Sequence, residues 1–338
     1  MSGVPNLSVP VEGNANALIT VLDTRFNAGF IRTQGQTWSK LLADDVNYTK
    51  GKTIVVPWTD PAKRYSRYIG EFIVQPWVVN AIQTQSEPWT NNIMFDRDAI
   101  IENVVAEIGP LVDSLGVQSA KLPDDIAALA LRNGGSSSIT PFTWYDGKPV
   151  FAEDHPIDPK GYTPGTWRNL FKGLPLTNEN VTTVWQAMSN GIKLPNGRHV
   201  QCRPNRLGVS PKYEIQARKI CENELVVEAI ASSLVPAGAF AATQNPICGM
   251  LTPVIMPELD ETIEGVPGEP DVWYLWDDRY MKPMTIYWIR RPKVTPVVSD
   301  SDMRVNELNS YAYCGRAHGT AIILAPWIIA RVEPGLGL

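Results

Sequence analysis

Residues 95–135 read FDRDAIIENVVAEIGPLVDSLGVQSAKLPDDIAALALRNGG, and this stretch decides the fold. Ile100, Val104 and Ile108 recur at helical spacing, as do Ile101 and Val105, which gives an apolar face on a 3.6-residue period. Asp96 stands where an N-cap belongs, and Asp98 falls in the first turn, where the helix dipole favours negative charge. Gly109-Pro110 is expected to bend or restart the helix, because Pro110 has no amide donor and its ring clashes with the preceding turn. Leu111, Leu115 and Ala120 continue the face. Leu122-Pro123-Asp124-Asp125 then restarts a helix through Ile126 and Leu129, and Asn133-Gly134-Gly135 ends it. A broken helical stretch of about 40 residues suits a spine laid across a flat domain.

On the N-terminal side, residues 1 to about 17 are polar, carry Pro and Gly, and read as an extended terminus. Ala15 to Trp38 holds a short helix, with Ala17, Leu18, Val21 and Leu22 on one face. Thr53 to Trp58 is β-branched and reads as a strand. Trp58, Tyr65, Tyr68, Phe72 and Trp77 follow, with Arg64 and Arg67 between them. So many amphipathic aromatics suit a hairpin that lies on a neighbour; the alternative is a hairpin within this chain's own core.

On the C-terminal side, Tyr145-Asp146-Gly147-Lys148-Pro149 is a turn before a strand at Val150-Phe151. Thr177 caps a helix carrying Val181, Val184, Trp185 and Met188. Pro195-Asn196-Gly197 is a hairpin turn, Leu207-Gly208-Val209 a short buried strand, and Pro211 the start of a helix through Ala217 and Ile220. Strands are expected at Thr252 to Met256, Val272 to Trp276 and Met284 to Arg290, with a strand, a turn and an apolar run from Ser310 to Val332. Regular βαβ alternation and internal repeats are both missing, so the class is α+β.

The chain has 338 residues, 44% hydrophobic and 19% charged, which makes it globular with roughly two domains. Lys+Arg number 30 against Asp+Glu 35, a net charge of −5 that argues against a dedicated nucleic-acid binder with a basic face. Cys202, Cys221, Cys248 and Cys314 are far apart, which reads as reduced cytosolic thiols and no disulfide framework. Met1 to Val11 lacks the basic start of a signal peptide, and Thr320 to Val332, interrupted by Pro326 and Arg331, is too short to span a bilayer. The expected place of synthesis is the cytosol, with no membrane partner.

The most enzyme-like cluster is Glu153-Asp154-His155-Pro156-Ile157-Asp158, whose carboxylates and imidazole suit a divalent metal or a metal-dependent hydrolase. Pro156 and Pro159 make it an irregular loop, while His199 and His318 lie far off without ligand spacing, so a loop held by Asp side-chain turns is preferred. His199 and Cys202 lie three apart in an expected strand and project to opposite faces, a poor nucleophile–base pair. The nucleophile-elbow, zincin and P-loop motifs do not occur. Trp273-Tyr274-Leu275-Trp276 with Asp277-Asp278 suits a core strand with alternating burial better than a ligand-stacking platform. The expectation is no catalytic, cofactor-binding or metal residues.

From Trp89 onward, a series of local patterns resembles the phage Mu-like major head subunit family. They are Phe95-Asp96-Arg97-Asp98 leading to Leu115-Gly116 and Lys121-Leu122-Pro123-Asp124, then Tyr145-Asp146-Gly147-Lys148-Pro149 with Asp154-His155-Pro156. Trp185-Gln186-Ala187-Met188, Cys202-Arg203-Pro204-Asn205, Leu207-Gly208-Val209-Ser210-Pro211, Asn245-Pro246-Ile247-Cys248-Gly249 and Tyr313-Cys314-Gly315-Arg316 follow in order. None is specific alone; their order and spacing are. The resemblance implies the Hong Kong 97-type capsid fold. It implies an N-terminal arm at 1–50, an extended-loop hairpin at 51–94, a peripheral domain with the spine helix at 95–175, an axial domain at 176–300, and a return to the peripheral domain at 301–338.

The function so implied is that of a major capsid protein of a tailed bacteriophage or prophage, not an enzyme. It is assembled in the host cytoplasm into pentamers and hexamers of the virion shell. The implied partners are further copies of itself, a separate scaffolding protein (the chain begins almost directly with the arm), portal and decoration or head-completion proteins, and double-stranded DNA touched sparsely and without sequence preference. A bacterial nanocompartment shell shares the fold and is the alternative. Hinges are expected at Gly109-Pro110, Leu122-Pro123 and Gly134-Gly135.

Overall fold

The computed structural model describes residues 11–49, 51–59, 79–96, 105–133, 144, 146–158, 164–193, 199–229, 240–297, 307 and 309–335. Helix α1 spans Val11–Gln34, and a single turn, α2, spans Ser39–Leu42. Strands β1 (Ala43–Asn47), β2 (Thr53–Thr59), β3 (Val79–Gln85) and β4 (Glu87–Asp96) follow, then the long helix α3 (Val105–Asn133). Three short strands, β5 (His155–Pro156), β6 (Thr166–Trp167) and β7 (Leu170–Lys172), precede helix α4 (Asn178–Gly191). Strand β8 (Arg206–Val209) leads through a 3-10 turn at Pro211–Tyr213 into helix α5 (Glu214–Glu222). Strands β9 (Leu225–Ala229), β10 (Phe240–Gln244), β11 (Thr252–Ile255), β12 (Trp273–Trp276), β13 (Met284–Val297), β14 (Ser310–Ile323) and β15 (Ile329–Glu333) complete the chain.

Two sheets organise these elements. One has the order β1-β13-β14-β4, with long antiparallel β13 and β14 at its centre; the other has the order β11-β8-β12-β15-β7. The C-terminal half of α3 packs between them, where Ile126, Ala127 and Leu131 share one core with Trp288 of β13, Ala321 of β14 and Trp276 of β12. The opposite face of the five-stranded sheet is covered by α4 and α5, so Trp273 and Leu275 meet Val181, Val184, Ala217 and Ile220. β12 is therefore buried on both faces. The alternating burial expected for Trp273 to Trp276 is replaced by burial of all four residues, because a central strand with layers on each side has no solvent face.

Several expectations based on local pattern hold. The side chain of Thr177 accepts a hydrogen bond from the backbone N–H of Asn180 and caps α4. Leu207 to Val209 is a buried strand, and Pro211 opens the turn into α5. Others need correction. Phe95 and Asp96 end strand β4, paired to Tyr311 and Ser310, so Asp96 is not a helix cap; residues 97–104 lie outside the described residues. The expected restarts at Pro110 and Pro123 do not divide α3, which runs as one helix of 29 residues through both prolines. Each proline removes one helical hydrogen bond at a cost of about 3 kcal/mol. Burial of Ala120 and of Ile126 to Leu131 around Pro123 offsets that loss.

The helical faces also shift. Leu111 and Val21 are exposed, whereas Val112, Leu115 and Leu22 are buried. α1 begins at Val11, inside the stretch read as extended. Val150 and Phe151 are buried but form no strand.

Strands of both sheets pair with partners distant in sequence. The β2–β3 hairpin ends at Gln85, and Glu87–Asp96 joins β14. β13 belongs to the sheet beside α3, and β15 belongs to the five-stranded sheet. The hairpin tip, the Pro195-Asn196-Gly197 turn and Gly134-Gly135 lie outside the described residues.

Candidate functional site

The residues that looked most like chemistry are not brought together. Glu153 is exposed and pairs with Lys172 at 3.5 Å, and Asp154 pairs with Lys148 at 2.5 Å. His155 is fully buried: its Nδ1 lies 2.7 Å from Asp146 Oδ2 and its Nε2 3.2 Å from the Val150 carbonyl, so both nitrogens are engaged. Its ring stacks on Trp167 with centroids 4.4 Å apart. Among the described residues no group of His, Cys, Asp and Glu could hold a metal ion. Cys202 is buried, and burial with the nearby Asp277 carboxylate pushes its thiol up to about 12, far from a nucleophilic thiolate. His199 is exposed in a bridge to Lys193. Among the described residues, no helix is long and apolar enough to cross a membrane.

What the chain does build is a set of fastenings along α3. At the N-terminal half, glycines let α1 approach closely. A Cβ on Gly116 would overlap the Phe26 carbonyl of α1 and lie 3.0 Å from the Phe30 nitrogen, and a Cβ on Gly29 would overlap the Asp113 carbonyl. Glycine is disfavoured inside helices, so its presence at both contact points was the available sequence signal for this approach. Leu22 and Phe26 then reach Val112, Leu115 and Tyr313.

At mid-helix, α2 and the 3-10 turn at Pro257–Leu259 meet α3 just beyond Pro123. The Ser39 N–H donates to Asp124 Oδ1 at 2.9 Å, and the Trp38 indole N–H donates to Glu258 Oε2 at 2.6 Å. Three carboxylates thus crowd a poorly hydrated place. Burial raises Asp124 to about 6, with the Ser39 hydrogen bonds opposing and Glu258 adding to the rise. Burial raises Asp125 to about 7, with Glu258, Asp124 and Glu261 adding to the rise.

A raised carboxylate stabilises the fold only while it is protonated, fully so below its unfolded value near 3.8. That stability is lost as pH climbs through about 6 to 7. Asp125→Asn is therefore expected to stabilise the folded chain at pH 8 by about 1–3 kcal/mol and to flatten its pH dependence between about 5 and 8. Urea unfolding at several pH values checks this; a variant that follows the wild-type curve contradicts it.

At the C-terminal end, Arg132 donates to the carbonyls of Glu258 and Val266, and Arg331 of β15 donates to the Leu131 carbonyl at 3.2 Å. Arg331 also donates to Tyr274 Oη, Glu269 Oε1 and Glu333 Oε1 at 3.2, 2.8 and 2.9 Å. Sequence pattern marks Arg331 only as a break in an apolar run and does not mark Arg132, because their partners are backbone atoms and distant acids.

The root of the β2–β3 hairpin is fastened separately. Ile54 and Ile82 pack on Trp144 and Ile322. Trp144 meets Trp327 edge-on at 6.0 Å.

A family model described as "Mu-like prophage major head subunit gpT" matches residues 15–174. No curated protein matches the chain. Among solved structures, the chain resembles Gordonia phage Cozz with a TM-score of 0.52 and 9% identity, covering 89% of this chain and 86% of that one. It resembles the mature capsid of bacteriophage PhiM1 with a TM-score of 0.50 and 10% identity, covering 89% and 88%. The procapsid of bacteriophage JBD30 aligns with a TM-score of 0.49 and 17% identity, covering 93% and 74%. At the first two similarities the likeness is one of fold, and the fold is the Hong Kong 97-type capsid fold.

Proposed function

We infer that this chain, matched over residues 15–174 by the Mu-like prophage major head subunit family and folded as a phage capsid protein, is the major subunit of a phage or prophage head. The observation that carries the reading is one geometry: a 29-residue helix, itself inside the match, laid along a four-stranded sheet whose central strands lie beyond it, with a hairpin rooted beside them.

In this reading the fastenings of α3 make a stiff plate, and the work of the molecule is assembly rather than catalysis. One subunit type must fill both pentamers and hexamers of a closed icosahedral shell, so its contacts with other copies are many and individually weak. The peripheral domain is α3 with β1, β4, β13 and β14. The axial domain is the five-stranded sheet with α4 and α5. Residues before β1 serve as the arm, and the β2–β3 hairpin as the extended loop that lies on a neighbour. A separate scaffolding protein, a portal, and decoration or head-completion proteins are the expected partners, and assembly takes place in the host cytoplasm. The net charge of −5 suits an inner wall that touches packaged double-stranded DNA sparsely and without sequence preference.

Electron microscopy of the chain co-expressed with its neighbouring virion genes tests the reading. Closed icosahedral shells built mainly of this chain are expected. Small soluble oligomers alone, with a scaffold present, would overturn it.

A further inference from the structure

Strands β13 and β14 turn one face toward α1 and α3 and the other away from them. Along β14, buried Tyr313, Ala317 and Ala321 alternate with less buried residues that share the far face. On that face Lys293 of β13 stands directly across from Arg316 of β14, and Arg290 stands across from His318. Arg290, Lys293 and Arg316 are exposed, and among the described residues none of their side chains has an ion pair or a hydrogen bond. The β4 residues in the same rows, Pro88 and Thr90, bring no carboxylate. Like charges directly opposite each other in a sheet are destabilising. The sheet thus keeps a cationic face at a cost that no described acid offsets.

The chain also carries the matching charge. Residues 257–271 read PELDETIEGVPGEPD, with carboxylates and no Lys or Arg. Glu258, Glu269 and Asp271 are engaged by Trp38, Arg331 and Lys212. Asp260, Glu261 and Glu264 are exposed and, among the described residues, have neither a hydrogen bond nor an ion pair. Their turn is held in shape. The Ile263 N–H donates to the Val266 carbonyl at 3.1 Å and the Val266 N–H to the Ile263 carbonyl at 2.8 Å, with Glu264 and Gly265 at φ 49° and 77°. Two successive left-handed residues closed in this way make a two-residue hairpin turn. Arg132 fastens its base through the Val266 and Pro267 carbonyls. Glu264 and Arg316 line one cleft beside Trp89 and Leu122, yet no ion pair joins them. Acidic turn and basic strand therefore lie side by side on one surface. Such a surface is self-complementary: turned about a two-fold axis, a second copy sets each charge against its opposite.

We propose that the cationic face at Lys293 and Arg316 is an interface that receives the acidic turn at 260–265 of a second copy of this chain. A turn already fixed in shape loses little freedom on docking, and opposite charge sets its partner and register. A polyanion such as DNA is the weaker occupant, because the acidic turn beside the face repels it. The pairing would supply one of the contacts that the head-subunit reading requires, but it is an association of two copies and does not rest on a closed shell.

The test follows self-association of the full-length chain by sedimentation velocity between about 50 and 500 mM salt. It compares wild type with an acid-reversed chain (Glu261→Lys with Glu264→Lys) and a base-reversed chain (Lys293→Glu with Arg316→Glu). Wild-type association is expected to weaken by at least about tenfold across that range. Each reversed chain is expected to stay monomeric alone, and an equimolar mixture of the two to associate again, since each then offers the other an opposite charge. A wild type that stays monomeric in low salt, reversed chains that associate as wild type does, or a mixture no better than its components overturns the proposal. A base-reversed chain that associates normally but loses a short DNA duplex retained by wild type overturns it too, and assigns the face to nucleic acid. Zero-length carboxyl–amine coupling in mixed 14N and 15N wild type needs no variant: a link from Lys293 to Glu261 or Glu264 between differently labelled copies is expected, and links confined to single copies count against the pairing. Closed shells from all three chains would sink the pairing and leave the head-subunit reading standing; charge-dependent pairing without shells would do the reverse.

Discussion

Gly116→Val is expected to destabilise the folded chain by about 3 kcal/mol and, under the proposed function, to prevent shell formation. The new side chain would occupy space already taken by the Phe26 carbonyl and the Phe30 nitrogen of α1, which are backbone atoms in the middle of a helix. Such atoms cannot swing aside as a long side chain does, so α1 as a whole must move off α3. That movement would uncover Leu22, Phe26, Val112 and Leu115, a cluster buried together with Tyr313. Leu111→Ala, on the exposed side of the same helix, is the control and should change stability by less than about 0.5 kcal/mol. Chemical unfolding of purified subunits compares the two. Equal stability of Gly116→Val and wild type would mean that the helices do not meet at this distance.

Arg331→Met carries the second large effect. Arg331 is 4% exposed and serves four partners at once: the Leu131 carbonyl near the end of α3, the Tyr274 hydroxyl, and the carboxylates of Glu269 and Glu333. Removing one partner of a buried charged network costs about 3–5 kcal/mol, chiefly because the remaining groups are left unpaired. Glu269 and Glu333 are about 30% exposed and regain some water, which places the expected loss near the lower end, about 3 kcal/mol. Arg331→Lys keeps the charge but supplies a point donor in place of a planar fork, so it should recover part of the loss and not all of it. Thermal unfolding in low and high salt distinguishes the cases. An Arg331→Met subunit as stable as wild type would show that this network contributes no net stability.

The features legible in the sequence are those whose causes lie within a few residues. Thr177 needs only its own hydroxyl and the third amide onward to cap α4, and Leu207-Gly208-Val209 is apolar enough to be buried whichever sheet receives it. Phe95 and Asp96 were misread because a cap-like aspartate before an apolar run is a local helix signal, while the determining partner, Ser310-Tyr311, lies more than 200 residues away. The prolines of α3 were misread for the converse reason. Their cost is local, while the compensating burial comes from Trp38, Trp276 and Trp288 beyond Pro123 and from Leu22, Phe26 and Tyr313 beyond Pro110, whose arrival at the helix no window of sequence displays. In the candidate site, His155 was visible as an unusual residue in a proline-rich loop. Its partner Asp146 is legible only as part of a turn, because the hydrogen bond that joins them spans nine residues.

The strand order β11-β8-β12-β15-β7 has a consequence for the chain on the ribosome. Residues 329–333 lie between residues 273–276 and 170–172, so the interior of that sheet stays open until they have been synthesised. Arg331, which holds the far end of α3, arrives on the same strand. The five-stranded sheet therefore cannot close before the last of its strands has been made, and its closure rests on long-range pairing. A polypeptide released early lacks the strand that joins β7 to the rest of the sheet and the arginine that fastens α3 to it.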